Sequence, residues 1–227
     1  SSSLGYLQIN VNNRQNNYPV TDASIQISYK GDPQSTVEQL TTNSSGQTER
    51  IQLPAPPYEY SLAPSEVQPY SEYNILINAP GFKESVISGS EVLADVTAVQ
   101  PVLLEPLADN QSEENPIVIP DHTLCGNYPP KIAEAEVKPV KESGEIVLSR
   151  VVVPETVIVH DGAPTDTSAA NYYIPYRDYI KNVASSEIYA TWPEASITAN
   201  VLAIMSFTLN RVYTEWYRNQ GYIFTIT

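Results

Sequence analysis

The chain has 227 residues, of which 41% are hydrophobic, so it is long enough to bury one large core or two small ones. Its 26 acidic residues outnumber 12 basic ones and give a net charge of −14. This balance argues against nucleic acid and against an anionic membrane as partners, because both are bound through clustered lysine and arginine. We interpret the acidic surface as an aid to solubility.

Cysteine and histidine are scarce, which limits the chemistry that the chain can support. The single cysteine, Cys125, excludes an intrachain disulfide and a cysteine-based zinc cluster. His122 lies nearby without a visible orienting partner, so we interpret Cys125 as an incidental thiol rather than a nucleophile. His122 and His160 lack the spacing of metal ligands. The stretch His160-Asp161-Gly162 is predicted to form a turn. No cofactor is expected.

Residues 1–107 are predicted to form a β-sandwich. Alternation of apolar and polar residues with period two marks half-buried strands in the runs YLQINV, ASIQISY, YNILINAPGF and ADVTAVQPVLLEPL. The stretches TNSSGQ and APGF supply turns between such runs. The order of these strands and turns resembles the carboxypeptidase-regulatory or transthyretin-like sandwich. We therefore expect an α+β chain whose first part is this sandwich.

Residues 108–156 have a different composition and are interpreted as an extended connector. They are rich in Pro, Glu, Lys and Ser and poor in aromatic residues, so they cannot bury enough apolar area to offset the entropy of ordering. No apolar run in the chain reaches the roughly 18 residues of a membrane span. The first residues, SSSLGYLQIN, also lack the features of a secretory signal.

Residues 157–227 are predicted to contain two helices. Pro175 suits the start of the first, on which Tyr179, Val183 and Glu187 share one face at positions i, i+4 and i+8. The second helix is expected to open at Thr191-Trp-Pro-Glu194, which has the spacing of a capping box, and to end at Gly221. Its apolar stripe comprises Ile197, Val201, Ile204, Met205, Leu209, Val212 and Trp216.

Glu187 is the unusual residue on the first helix, because its neighbours are apolar or small. Packing should shield the carboxyl partly from water, which is the setting of a general acid. The alternative is structural, since a single glutamate on a mixed face is commonly a helix cap or a partner in a surface ion pair.

The segment IPYRDYIKNVASSEIYATWPEASITANVLAIMSFTLNRVYTEWYR resembles the opening helices of the stage II sporulation protein D family of peptidoglycan lytic transglycosylases. Asp178-Tyr179, the stretch VASSE ending at Glu187, and Trp192-Pro-Glu match elements of the family pattern. The whole chain is similar to the clostridial spore cortex-lytic enzymes, which join a β-rich pre/pro region to such a catalytic domain. Residues 157–227 would then be the start of that domain.

The resemblance implies that Glu187 is the catalytic acid/base and that Tyr179, Trp192 and Asn200 contact the glycan. The family helix typically carries a glutamine and an arginine where this chain has Asn200 and Met205. The implied activity is cleavage between N-acetylmuramic acid and N-acetylglucosamine in spore cortex peptidoglycan during germination. The implied partners are glycan strands and a protease that activates the zymogen by cutting in the connector, with Gly144–Glu155 the expected site.

Two alternatives remain open at this stage. Two helices are too few to form the far wall of a glycan cleft, so the chain is expected to be a fragment of a longer enzyme or a relative that has lost its activity. By itself it should release no anhydromuropeptides. The rival hypothesis is a non-enzymatic structural or carbohydrate-binding protein of the spore envelope or of an extracellular assembly. The expected location is accordingly the spore or the extracellular space.

Overall fold

The computed structural model describes residues 3–107, 116–126 and 148–227. The chain forms two compact units, which we describe separately. The first comprises Ser1–Gly126 together with Tyr189–Thr191, and the second comprises Asn127–Ile188 together with Trp192–Thr227.

The first unit is built from β-strands arranged in two sheets. Its described strands are β1 (Ser3–Asn13), β2 (Ser24–Tyr29), β3 (Asp32–Thr41), β4 (Ile51–Ala55), β5 (Tyr70–Asn78), β6 (Ser85–Leu93), β7 (Thr97–Leu104) and β8 (Ile117–Val118). One sheet has the order β4-β1-β7 and the other the order β3-β2-β5-β6-β8. β7 runs parallel to β1 and β8 runs parallel to β6, while the remaining pairs are antiparallel.

The core of this unit lies between the two sheets. Alternate residues of β1, among them Leu7, Ile9 and Val11, are fully buried, as the period-two pattern predicts. They belong to one apolar cluster with residues of β2 and β5 such as Ile25 and Ile75. The first unit is therefore a β-sandwich, and the prediction of a sandwich followed by a helical segment is confirmed.

The turn that follows β3 was also predicted, and its geometry explains its sequence. The Asn43 side chain accepts hydrogen bonds from the backbone N–H groups of Ser45 (2.9 Å) and Gln47 (3.1 Å), which forms a local turn. Gly46 adopts a left-handed conformation with φ of 71°. Because a side chain is disfavoured in this conformation, glycine is the residue that the turn requires.

Part of the predicted connector, 108–156, lies outside the described residues, namely 108–115 and 127–147. Within its described part, β8 pairs with β6, and Ile119 packs against the sandwich core. Further along, Val151, Val152 and Val153 are exposed and belong to no strand or helix.

The second unit contains a β-hairpin and two helices. Its elements are β9 (Thr156–His160), β10 (Asn171–Pro175), α1 (Tyr176–Glu187), α2 (Glu194–Tyr213) and a short 3-10 helix (Arg218–Gln220). Val157 of β9, Tyr176 and Ile180 of α1, and Ile204 of α2 form its buried apolar cluster. The two predicted helices are confirmed. Among the described residues, none of the helices has the length and apolar character to cross a bilayer.

The predicted helix ends need two corrections. No side chain caps the first turn of α2, so the expected capping box between Thr191 and Glu194 does not form. The Thr191 hydroxyl instead donates a hydrogen bond to the Ser61 carbonyl oxygen (3.3 Å), within the first unit. At the other end, α2 stops at Tyr213, and Gly221, with φ of 91°, ends the following 3-10 helix instead.

Candidate active site at the ends of the two helices

The predicted acid, Glu187, is the last residue of α1 and is half-buried. Val183 and Ala184, one turn earlier, pack against the apolar cluster of the second unit, which holds this end of the helix in place. The preceding residues Ser185 and Ser186 turn their hydroxyls back onto carbonyl oxygens of the helix. The carboxyl therefore occupies a defined position at the end of a packed helix.

Asn200, in the second turn of α2, holds the Glu187 carboxyl directly. Its Nδ2 donates a hydrogen bond of 2.9 Å to Oε2 of Glu187. Its Oδ1 is buried and has no hydrogen-bond partner among the described residues. A buried carbonyl oxygen without a partner is unfavourable by about 1–3 kcal/mol. The Asn200 amide thus fixes the Glu187 carboxyl through Nδ2, while its Oδ1 stays buried.

Tyr179 lies two turns before Glu187 and is half-buried in the same apolar cluster. Burial raises the pKa of its phenol, and the negative charge of Glu187 raises it further, while a hydrogen bond with Thr208 acts in the opposite direction. Tyr179 is consequently a neutral phenol in the electrostatic field of the candidate acid.

Trp192 lies in the short segment before α2, where it is half-buried. Met205 is an apolar member of the cluster around α2. The structure thus joins Glu187 and Asn200 by a hydrogen bond. Tyr179 lies in the first turn of α1 and packs in the apolar cluster, and Trp192 takes no part in that bond. The roles assigned to these four residues remain predictions.

Chemically, the site offers one carboxyl group in a fixed position. Such a group can donate a proton to a leaving oxygen and accept one from a hydroxyl. Asp178 at the other end of α1 is exposed and forms an ion pair with Lys181 (3.1 Å), so it is engaged on the surface. Among the described residues, no three His, Cys, Asp or Glu side chains are grouped so that they could hold a metal ion.

The other residues considered from the sequence have structural contacts. Cys125 Sγ lies 3.2 Å from the Tyr70 hydroxyl, and the His122 ring packs against the Tyr189 ring at 4.5 Å. The interpretation of Cys125 as an incidental thiol stays a prediction. His160 contacts Asn171 Oδ1 (2.8 Å) and stacks on Phe224 (4.4 Å), and the residues after it form a bend, as expected.

Sequence reasoning missed a buried cation on α2. Arg211 is only 4% exposed, and its guanidinium lies over the rings of Trp216 (4.0 Å) and Phe207 (4.4 Å). The pattern contained an indication of this, because Arg211 interrupts an apolar helix and is surrounded by aromatic residues in the run FTLNRVYTEWYR. Arginine stacks well on aromatic rings, whereas an exposed cation would not need them.

Fold and site together define a β-sandwich protein with a helical unit that carries one asparagine-bound, half-buried carboxyl. No family model and no curated protein matches the chain. Solved structures similar to it include the TIE protein of Bacillus anthracis, with 19% identity over 46% of this chain and 17% of that one, at a TM-score of 0.34. A minor pilin of Streptococcus agalactiae has 12% identity over 50% and 49% of the respective chains, at a TM-score of 0.33.

A third similar structure is the 5-hydroxyisourate hydrolase of Klebsiella pneumoniae, with 18% identity over 45% of this chain and 92% of that one, at a TM-score of 0.30. The chain spans less than two thirds of the length of the first two of these proteins.

Proposed function

We propose that the helical unit is the start of a peptidoglycan lytic transglycosylase domain and that Glu187 is its catalytic acid/base. The protein would be a spore cortex-lytic enzyme that acts in germination. The observation that carries this proposal is the 2.9 Å hydrogen bond from Asn200 to the Glu187 carboxyl. A helix-terminal glutamate with a mere surface role has no need of a half-buried amide partner, whereas an acid/base group needs a fixed geometry.

The reaction requires one carboxyl group, as the site provides. Glu187 in its acid form protonates the glycosidic oxygen between N-acetylmuramic acid and N-acetylglucosamine, and the bond to the muramyl C1 breaks. The resulting carboxylate accepts the proton of the muramyl 6-hydroxyl, whose oxygen bonds to C1 and closes a 1,6-anhydro ring. The sugar supplies the nucleophile, so the paired carboxylates of ordinary glycosidases are not needed.

The neighbouring residues have roles that fit this reaction. Asn200 orients the carboxyl through Nδ2, whereas its buried Oδ1 could reach a sugar hydroxyl only after the side chain moves. The rings of Tyr179, in the first turn of α1, and of Trp192, just before α2, are both half-buried and are the apolar faces proposed for sugar rings of the strand. Glycan strands are thus the proposed substrate.

We propose further that the sandwich is a transthyretin-like or carboxypeptidase-regulatory-like pre/pro region and that a protease releases the enzyme from it. The described part of the expected cleavage segment supports this, because Arg150 to Val153 are exposed and lie outside strands and helices. The solvent-exposed fractions of Val151 and Val153 are 62% and 59%. A protease needs an accessible segment outside regular secondary structure, and residues 150–153 meet that requirement. The proposed location is the spore or the extracellular space.

Product analysis tests this function. The full-length protein is incubated with purified spore cortex peptidoglycan, and the soluble muropeptides are identified by mass spectrometry. We expect 1,6-anhydromuramyl ends. Products with only reducing ends would contradict the proposed reaction and indicate a hydrolase that uses water. Binding to the glycan without any cleavage would favour the rival, a structural or carbohydrate-binding protein.

A further inference from the structure

The connection between α1 and α2, residues 188–193, is divided between the two units. Its middle residues, Tyr189–Thr191, belong to the first unit, whereas Ile188 before them and Trp192 after them belong to the second. The sandwich unit therefore incorporates a short segment from a remote part of the chain, and its contacts with that segment can be examined as the contacts of a binding site with its ligand.

Tyr189 is the most deeply buried part of this segment. Its side chain is only 1% exposed, and its ring centroid lies 4.5 Å from that of His122, with 40° between the ring planes. Burial raises the pKa of its phenol, and a hydrogen bond with the Cys125 thiol and the charge of Glu91 raise it too. These neighbours all belong to the first unit. A buried tyrosine brings a large contact area to a binding site at a small entropic cost, so Tyr189 is the expected anchor.

Thr191 fixes the other end of the segment. The Tyr58 hydroxyl donates a hydrogen bond to the Thr191 carbonyl oxygen (3.1 Å), and the Thr191 hydroxyl donates one to the Ser61 carbonyl oxygen (3.3 Å). Both partners lie on a short 3-10 helix of the sandwich unit, Tyr58–Ser61. Thr191 is only 8% exposed. The sandwich unit thus contacts the segment through its backbone as well as through its side chains.

The helices on either side restrict the segment before it binds. The Ile188 N–H donates to the Ala184 carbonyl oxygen (3.2 Å), so the hydrogen bonds of α1 continue up to the residue before Tyr189. On the other side, the Ser196 N–H donates to the Pro193 carbonyl oxygen (2.8 Å). Because the segment has little freedom to lose, its binding costs less conformational entropy than that of an unstructured tripeptide.

We propose that the sandwich unit carries a socket that binds Tyr189–Thr191 and keeps the two products of cleavage after Arg150 together. The residues that form this socket are Tyr58, Ser61, His122 and Cys125. The cut leaves the socket on the product that ends at Arg150 and its occupant on the product that begins at Val151. Cleavage alone would then leave the two products bound, and their separation would need a second step that empties the socket. This consequence for the enzyme rests on the proposed function, whereas the binding itself requires no activity.

Controlled cleavage of the whole 227-residue chain tests the proposal. The recognition site of a sequence-specific protease is inserted after Arg150, where the residues on both sides lie outside strands and helices. The cleaved protein is passed through a gel-filtration column at about 10 μM, and the products in each peak are identified by mass spectrometry. We expect the two products to elute together in buffer and to separate in denaturant.

Three variants of the cleaved protein show whether the socket is responsible. Tyr189→Ala removes the anchor and should raise the dissociation constant of the two products by about 30-fold or more. Tyr173→Ala is the matched control on the same product, because Tyr173 is 71% exposed, and it should change the constant by less than about threefold. Tyr58→Phe removes one hydrogen bond from the socket side and should raise the constant by about 3- to 10-fold, even if Tyr189→Ala does not fold.

The proposal is overturned if the wild-type products separate without denaturant. An unchanged dissociation constant in Tyr58→Phe, or equal effects of Tyr189→Ala and Tyr173→Ala, would also overturn it. These results would assign the association to other contacts, such as the hydrogen bond from the Leu148 N–H to the Tyr213 carbonyl oxygen (3.0 Å). Glycan cleavage is not measured here, so a failure of the socket and a failure of the proposed reaction are distinguishable.

Discussion

Asn200 Nδ2 donates a hydrogen bond of 2.9 Å to Glu187 Oε2 and thereby joins the second turn of α2 to the last residue of α1. A glutamate side chain with no partner samples several rotamers, so its carboxyl has no fixed direction. The amide limits the carboxyl to one arrangement. In the proposed reaction, that arrangement determines how the acid faces the glycosidic oxygen.

Removing this amide is expected to lower turnover rather than substrate affinity. A hydrogen bond to a charged group contributes about 1.5–3 kcal/mol, so Asn200→Ala should lower kcat about 10- to 100-fold. Asn200→Gln, which keeps the amide, should recover part of the loss. Thr198→Ala, at an exposed position of α2, is the control. Steady-state kinetics on cortex fragments give kcat and KM separately, and an unchanged kcat in Asn200→Ala would exclude the positioning role.

The exposed segment before β9 is expected to be the first site of limited proteolysis. An arginine-specific protease should cut after Arg150 earlier than after Arg50, because the residues on both sides of Arg150 lie outside strands and helices, whereas β4 begins directly after Arg50, whose guanidinium stacks on Tyr6 at 4.3 Å. A time course followed by mass spectrometry identifies the first fragments. The Arg150→Gln variant should lose them. Initial cleavage within the sandwich would contradict the proposed release of the enzyme from its pre/pro region.

The turn after β3 should tolerate no side chain at its glycine. In Gly46→Ala the new Cβ would lie 2.4 Å from the Val11 carbonyl oxygen, at a φ of 71°. Strain and overlap together should lower the free energy of unfolding of the sandwich by about 2 kcal/mol or more. Gly31→Ala, whose Cβ has nothing within 4 Å, should stay within about 0.5 kcal/mol of the wild type. Chemical denaturation measures both, and equal effects would refute this explanation of the turn.

The sandwich should lose stability as the pH rises through neutrality. Burial raises the pKa of Glu91 from 4.5 to about 7, the charges of Glu72 and Asp121 raise it too, and Tyr70 and Lys30 act in the opposite direction. Because the folded state holds the Glu91 proton more tightly than the unfolded state, the contribution of this group to stability is fully present below pH 4.5 and is lost as the pH rises through about 7. This contribution is on the order of 3 kcal/mol.

Unfolding measured between pH 5 and 8, in steps of about one unit, tests the role of Glu91. Glu91→Gln cannot ionise, so the fall in stability over this range should largely disappear. Glu49→Gln, at an exposed position, should keep it. An identical pH profile in Glu91→Gln and in the wild type would show that another group is responsible.

The sequence predicted most strands whose own side chains alternate between core and solvent, although β6, which also alternates, was not among the predicted runs. β1, with Leu7 and Ile9 buried, is one of these. β3 escaped prediction because it is polar and mostly exposed, and its place depends on backbone pairing with β2. β8 has only two residues, and its pairing with β6 joins segments far apart in the chain. Neither the pairing of β3 with β2 nor that of β8 with β6 can be predicted from local hydrophobic periodicity.

In the candidate site, too, local spacing predicted some features, whereas others depend on tertiary packing. Spacing placed Glu187 on a helix face with Tyr179, but the bond to Asn200 depends on how α1 and α2 pack. The capping-box pattern at Thr191 failed because its hydroxyl found a tertiary partner, the Ser61 carbonyl oxygen. A local hydrophobic pattern predicts that a charged residue such as Arg211 is exposed. Its burial between two aromatic rings depends on the tertiary fold.

The most direct test of the central claim compares Glu187→Gln with Glu194→Gln in the full-length protein. Glu187→Gln keeps the shape of the side chain but removes the transferable proton, whereas Glu194 is an exposed residue in the first turn of α2. Formation of 1,6-anhydro products and the thermal midpoint are measured for both variants and the wild type. Our account predicts that product formation falls by about 10²- to 10⁴-fold in Glu187→Gln alone, with its midpoint preserved. Near-normal product formation in Glu187→Gln would contradict the assignment of Glu187 as the catalytic acid/base.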